Sequence, residues 1–242
     1  MSTTTPTPQA SLTERRKAET RMEIARAAAG LFVRRGLRAT RAEDIAQAAG
    51  IAPRTFYRYF ATKEEAVAPL YAAGAQRWVE AVRAAPAAVS VSRALEDGVR
   101  HTLTPGVGVS ASSWEWVRTL LRLAAANPSL RRVWAEVCQD SERMLGEVLA
   151  ERVTRAGAVP DPAAGDGGDN VADASERPDR AVASDCVTPQ PQLRFAAAVA
   201  SAAVRTALEG WAEGDGPAEG PGSPAELALR NLAALRNFPF GG

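Results

Sequence analysis

Thr40-Arg41-Ala42-Glu43-Asp44-Ile45-Ala46-Gln47-Ala48-Ala49-Gly50-Ile51-Ala52-Pro53-Arg54-Thr55-Phe56-Tyr57-Arg58-Tyr59-Phe60-Ala61-Thr62-Lys63 is the stretch whose reading decides the fold. It opens as a capping box, with the Thr40 hydroxyl set to accept from the Glu43 N–H and the Glu43 carboxylate set to accept from the Thr40 N–H. Ile45, Ala48 and Ala49 then share one face of a short helix. Gly50 follows, where a left-handed C-cap costs glycine nothing. Ile51 plugs the turn, and Pro53 suits the first position of a second helix, where its missing N–H is not needed. Helix, glycine turn and helix make a helix-turn-helix, whose second helix enters the DNA major groove. In that second helix Phe56 and Phe60 are the inward anchors. Arg54 and Thr55 lie at its N-terminal end, the part that reaches base edges, and Tyr57, Arg58 and Tyr59 follow as candidates to hold phosphates. Lys63, at the start of the next helix, is a further phosphate candidate.

From Arg21 to Lys63 the chain resembles the DNA-binding domain of the tetracycline-repressor (TetR-like) family. The resemblance rests on Ile24, Ala27-Ala28, Leu31-Phe32, Gly36, Thr40, Asp44-Ile45-Ala46, Ala49-Gly50-Ile51, Thr55-Phe56-Tyr57-Arg58-Tyr59-Phe60 and Lys63-Glu64-Glu65. It implies an all-helical homodimer that binds a palindromic operator, usually as a repressor released by a small ligand. It also implies phosphate contacts from Thr40, Thr55, Tyr57, Tyr59 and Lys63, and base-edge reading by Arg41 and Arg54. One position departs from the pattern. Ala52 stands where the family often has a capping serine, so the second helix lacks its N-cap side-chain bond, at a cost of about 1 kcal/mol.

Composition agrees with this layout. The 242 residues carry a net charge of +1, but residues 1–63 hold 12 Lys and Arg against 5 Asp and Glu, and the remainder 17 against 23. A basic first quarter on a mildly acidic body fits a nucleic-acid reader with a separate partner domain. The 46% apolar content supplies ample core. No run approaches the ~18 uncharged apolar residues of a membrane helix. The Ser/Thr/Pro-rich start has no apolar signal segment, and Cys138 and Cys186 are two thiols rather than a disulfide framework, so a cytoplasmic protein is expected. His101 is the only histidine. With no second histidine or cysteine at ligand spacing, neither a metal nor a cofactor is expected.

In chain order, residues 1–12 read as a disordered tail, with Arg15, Arg16 and Lys17 beginning a basic arm. A first helix from about Glu14 to Arg35 carries the buried stripe Ile24, Ala28, Leu31 and Phe32, and Gly36 ends it. A helix from Lys63 to about Ala84 is expected to kink at Pro69. The family resemblance gives that helix the task of joining the reading head to the body, where a bound ligand would tilt it. Ser92 to Leu103 reads as a short helix. Trp114, Val117, Leu120, Leu121 and Ala124 mark another, stopped at Asn127-Pro128, and Ser129 caps a long one running to about Arg155. Trp78, Trp114, Trp116 and Trp134 are candidates to line a ligand pocket, with His101, Arg118, Arg122 and Cys138 as its polar members. Residues 157–191 lose apolar periodicity and read as a disordered insertion. Two final helices, Leu193 to Trp211 and Ser223 or Pro224 to Phe238, match the pair that forms the dimer's four-helix bundle in the family. They nominate Val199, Ala200, Ala203, Val204, Leu208, Leu229 and Leu232 for the dimer interface.

The sequence thus predicts an all-α chain with a disordered tail over 1–12. A three-helix helix-turn-helix DNA-binding domain follows over 13–63, and a helical ligand-binding and dimerisation domain over 64–242. Its expected partners are a double-stranded DNA operator, a second copy of itself and an unknown small molecule, with no membrane. The expected function is a sequence-specific transcriptional regulator, a repressor released by its ligand. An activator and a nonspecific architectural DNA-binding protein are the alternatives. An all-helical enzyme stands further off, because no triad, P-loop, zinc or dinucleotide motif is present.

Overall fold

The computed structural model describes residues 11–106, 111–157 and 191–233. The regular elements among them are all helical. The first is α1, Leu12–Arg35, begun by the Ser11 hydroxyl accepting from the Glu14 N–H at 3.2 Å. It therefore starts two residues before the expected Glu14. Its stripe Ile24, Ala28, Leu31 and Phe32 is buried, and Gly36 closes it at φ 79°. Helices α2, Ala42–Ala48, and α3, Pro53–Tyr59, complete the head.

The kink expected at Pro69 does not arise. A 3-10 turn, Glu65–Val67, precedes α4, Ala68–Ala84, and Pro69 falls in the first turn of α4. There its absent N–H would have had no partner in any case. Helix α5, Val91–Leu103, is capped by the Ser90 hydroxyl, which accepts from the Arg93 N–H. Helix α6 spans Ala111–Ala126 and α7 spans Pro128–Gly157, opening one residue before Ser129. Helix α8, Pro191–Glu213, and α9, Pro224–Leu232, close the described chain. The expected insertion and tail, together with Cys186 and Phe238, lie outside the described residues except where α1, α7 and α8 reach into their ends.

Two hydrophobic cores follow from this packing. The head core gathers Ile24, Phe32, Ile45, Phe56 and Phe60, and continues into Val67 and Tyr71 and onto Leu120, Leu130 and Val133 of α6 and α7. The small three-helix head is thus completed by the body it stands on, as its size requires. The body core joins Trp78, Val82, Leu95, Val99, Trp114, Leu145, Leu149, Ala200 and Trp211. Helix α4 supplies Tyr71 to one core and Trp78 to the other, so it is the physical link between them.

Arg152 is an element that the sequence did not suggest. It is 4% exposed, and its guanidinium donates to the carbonyls of Val82, Ala85, Pro86 and Val89. Those groups belong to the end of α4 and the loop after it, where carbonyls lack intrahelical partners.

Four of the interface residues nominated on α8 and α9 need correction. Ala200, Ala203, Val204 and Leu232 are buried within the protomer, because these two helices close on each other and on α5, α6 and α7. Val199, Leu208 and Leu229 are half-buried against the same core. The alanine-rich face predicted to meet a second chain is therefore the face that seals the first.

Candidate nucleic-acid interface and buried cavity

Thr40 does not cap α2. Its side chain is fully buried, and its hydroxyl donates to the Gly36 carbonyl at 2.9 Å. The cap lies one residue on, where the Asp44 carboxylate accepts from the Arg41 N–H at 2.8 Å. The turn is as its residues require. Gly50 sits at φ 68°, and the Ile51 N–H returns to the Ala46 carbonyl at 3.0 Å. Ala52 precedes α3 without a side-chain cap, and Pro53 opens it.

Phe56 is fully buried and packs edge-on to Tyr57 and tilted against Phe60, with centroids 5.4 and 5.8 Å away. That anchoring fixes which face of α3 looks out. Arg54, Tyr57 and Arg58 are exposed, Tyr57 at 52%, and Thr55 and Tyr59 are half-buried beside them. Arg41, at the mouth of α2, is exposed as well. The Arg58 guanidinium lies 5.4 Å from the Tyr59 ring centre.

Lys63 is occupied by its own protein: its ammonium donates to the carbonyls of Leu37 and Thr40 at 2.7 and 2.8 Å. A residue that sequence reasoning missed is Arg21. It donates to the Tyr59 carbonyl at 3.0 Å and covers the Phe60 ring at 4.6 Å. Arg21 thereby ties the end of α3 back to α1, through a cation over an aromatic face. Its position on the outer side of an amphipathic helix gave no hint of this.

Between α4 and α8 the body holds a partly open cavity of about 150 Å³. Trp78, Trp114, Trp134 and Cys138, all nominated from sequence, line it. Burial pushes the Cys138 thiol up to about 12, with Arg205 pulling the other way, so the thiol is neutral at ordinary pH. Burial likewise raises the Tyr71 phenol, whose O–H donates to the Leu120 carbonyl at 3.1 Å. Tyr71 stands edge-on to Trp134, and the Trp134 indole N–H donates to Glu209 at 2.7 Å.

The other nominated residues lie elsewhere. His101 is exposed on α5. Arg118 donates to the Gly216 carbonyl and lies over Trp211 at 4.1 Å. Arg122 donates to the carbonyls of Ala212 and Gly214 at 2.5 and 2.9 Å and meets Asp215 at 3.2 Å. Both arginines therefore hold the C-terminal end of α8 and the loop beyond it. Trp116 faces α1, where a side chain in place of Gly30 would come within 3.3 Å of its ring. Besides Tyr71, Arg77 and Arg205, polar cavity residues absent from the sequence reading are Thr102, Ser141 and Ser201. Their signal was weak, since each is a lone hydroxyl on an amphipathic helix.

An outward aromatic–basic helix on a helix-turn-helix, carried by an all-helical body with an apolar hollow, defines the class: a helix-turn-helix protein with a hollow helical body. Among the described residues, no helix is long and apolar enough to cross a membrane. Residues 24–68 match the family described as bacterial regulatory proteins, tetR family. The chain is 29% identical over 146 residues to the HTH-type transcriptional regulator TcmR of Streptomyces glaucescens, a match covering 58% of this chain and 63% of that one. It is 51% identical over 47 residues to the HTH-type transcriptional repressor KstR2 of Mycobacterium tuberculosis, covering 19% and 24%. It thus spans less than two-thirds of the length of either relative. The fold resembles that of Salmonella enterica GusR at a TM-score of 0.50 and 17% identity, over 91% of this chain and 95% of that one.

Proposed function

We propose that this protein is a cytoplasmic, sequence-specific transcriptional regulator, a dimeric repressor of a palindromic operator that a small molecule releases. It is not an enzyme on this reading. The observation that carries the proposal is the outward presentation of Arg54, Tyr57 and Arg58 on a helix pinned from within by Phe56. Arg41 and Arg54 read base edges, and Thr55, Tyr57, Arg58 and Tyr59 hold the phosphates on either side. Thr40 and Lys63 serve the interface indirectly, by fixing the loop before α2. The names of TcmR and KstR2, a regulator and a repressor, support the same reading.

Release follows from the place of α4. Leu70, Tyr71, Gly74 and Trp78 of this helix line the cavity, and Tyr71 also belongs to the core beneath α1. A ligand that moves α4 therefore moves the head. Two heads fit a twofold operator only with half-sites about 34–36 Å apart. The second chain docks on the outer face of α8, which carries Phe195, Val199, Ala202 and Thr206, with Phe195 57% exposed. Sedimentation of the protein with a duplex selected from random DNA tests this reading. Two chains per duplex are expected, whereas one chain per duplex, or failure to select any sequence, would refute it.

A further inference from the structure

Five buried side-chain polar atoms among the described residues lack a hydrogen-bond partner. Two are the Nε atoms of Arg118 and Arg152, whose other guanidinium nitrogens are well bonded. The remaining three are Thr102 Oγ1, Trp114 Nε1 and Ser201 Oγ. All three residues line the cavity, although they come from three different helices, α5, α6 and α8. Thr102 and Trp114 are each only 2% exposed. Native proteins pair nearly all such groups, so three orphans around one hollow point to something that belongs inside it.

The rest of the lining narrows the chemistry. Leu121, Val117 and Trp78 are apolar, no Asp or Glu lines the space, and the Cys138 thiol and Tyr71 phenol stay protonated. Arg205 reaches the lining but pairs with Glu209 at 3.4 Å, and Arg77 is exposed on α4. The free volume of about 150 Å³ is comparable to an apolar cavity that holds a single benzene ring. The indole N–H can only donate, whereas the two hydroxyls donate or accept.

We infer that the cavity takes an uncharged single-ring aromatic molecule bearing a carbonyl-type acceptor, selected by Thr102, Trp114 and Ser201 over its apolar and anionic analogues. This inference rests on the reading of the cavity as the ligand site. The indole donates to the carbonyl oxygen, and the hydroxyls take the ligand's remaining donor or acceptor. A plain hydrocarbon ring fills the space but leaves all three polar atoms unpaired. A carboxylate must leave water and compete with Glu209 for Arg205, while Arg77 is exposed to solvent.

Isothermal titration of the full chain with benzamide, benzoate and toluene tests the inference. Benzamide is expected to bind at least about tenfold more tightly than either analogue. Thr102→Val and Ser201→Ala should each weaken benzamide roughly three- to tenfold and leave toluene within about twofold. Leu121→Trp, which fills the hollow, should abolish binding. If that variant loses its near-UV dichroism, the nearly isosteric Thr102→Val carries the test instead. Benzoate or toluene binding as tightly as benzamide would overturn the inference, as would hydroxyl variants without effect or no binding by any of the three. Operator affinity is measured separately. Selective benzamide binding that leaves operator affinity unchanged upholds the ligand class and defeats the regulatory reading.

Discussion

In the head, Phe56, Ile45 and Phe32 fill the space between three helices, and the charged side chains of α3 lean outward. In the body, Trp78, Trp114 and Trp134 meet around a hollow, and polar atoms sit inside without partners. The head presents a surface that packing holds rigid, and the body surrounds a space that packing leaves open. The difference teaches where a substitution should be felt. On α3 it should alter recognition without altering stability, and around the cavity it should alter the two together.

The widest contrast is chemical. With Cys186→Ser removing the second thiol, Cys138 in the folded chain should react with iodoacetamide at pH 8 about a thousandfold more slowly than in urea, because burial removes the thiolate that attacks. The sign is fixed by the raised thiol: reactivity should climb only as the pH rises toward 12. Equal rates in the two states would mean that the body interior is wet and the contrast false.

Next in size is the head surface. Arg54→Ala with Tyr57→Ala should lower operator affinity at least about a hundredfold. The melting temperature should hold within about a degree, since both side chains are exposed. A large loss of stability would show that α3 depends on its outer face. Arg152→Met should then cost about 2 kcal/mol by chemical denaturation, because four carbonyls at the end of α4 lose their donor. An unchanged midpoint would remove Arg152 as the strut of that helix. The smallest effect belongs to Asp44→Ala. It should cost the head about 1 kcal/mol by leaving the Arg41 N–H without its carboxylate.

The same contrast explains what could be read from the sequence. The head is built from local rules, and Gly50, Pro53 and Phe56 stand where spacing put them. Even there Thr40 misled: threonine followed three residues later by glutamate satisfies the capping pattern, but Asp44 satisfies it one register later, and the fold keeps Thr40 for its core. Pro69 misled in a similar way, because the sequence does not mark the 3-10 turn that resets where α4 begins.

In the body the helices were legible but their partners were not. Periodicity showed that α8 has an apolar face, and only tertiary packing decides whether that face meets a second chain or its own. Arg118 and Arg122 looked like pocket cations. They became clamps on the α8 terminus because a loop 90 or more residues away returns beside them. Contacts so distant in sequence leave no local mark.

The account stands or falls on whether α3 reads sequence. The direct measurement is fluorescence anisotropy at physiological salt, comparing a duplex selected by the protein with a scrambled duplex of the same composition. Preference for the selected duplex by about 10³-fold or more is predicted, and it should collapse in the Arg54→Ala, Tyr57→Ala protein. Equal affinity for the two duplexes, or a preference that survives loss of both side chains, would contradict the account.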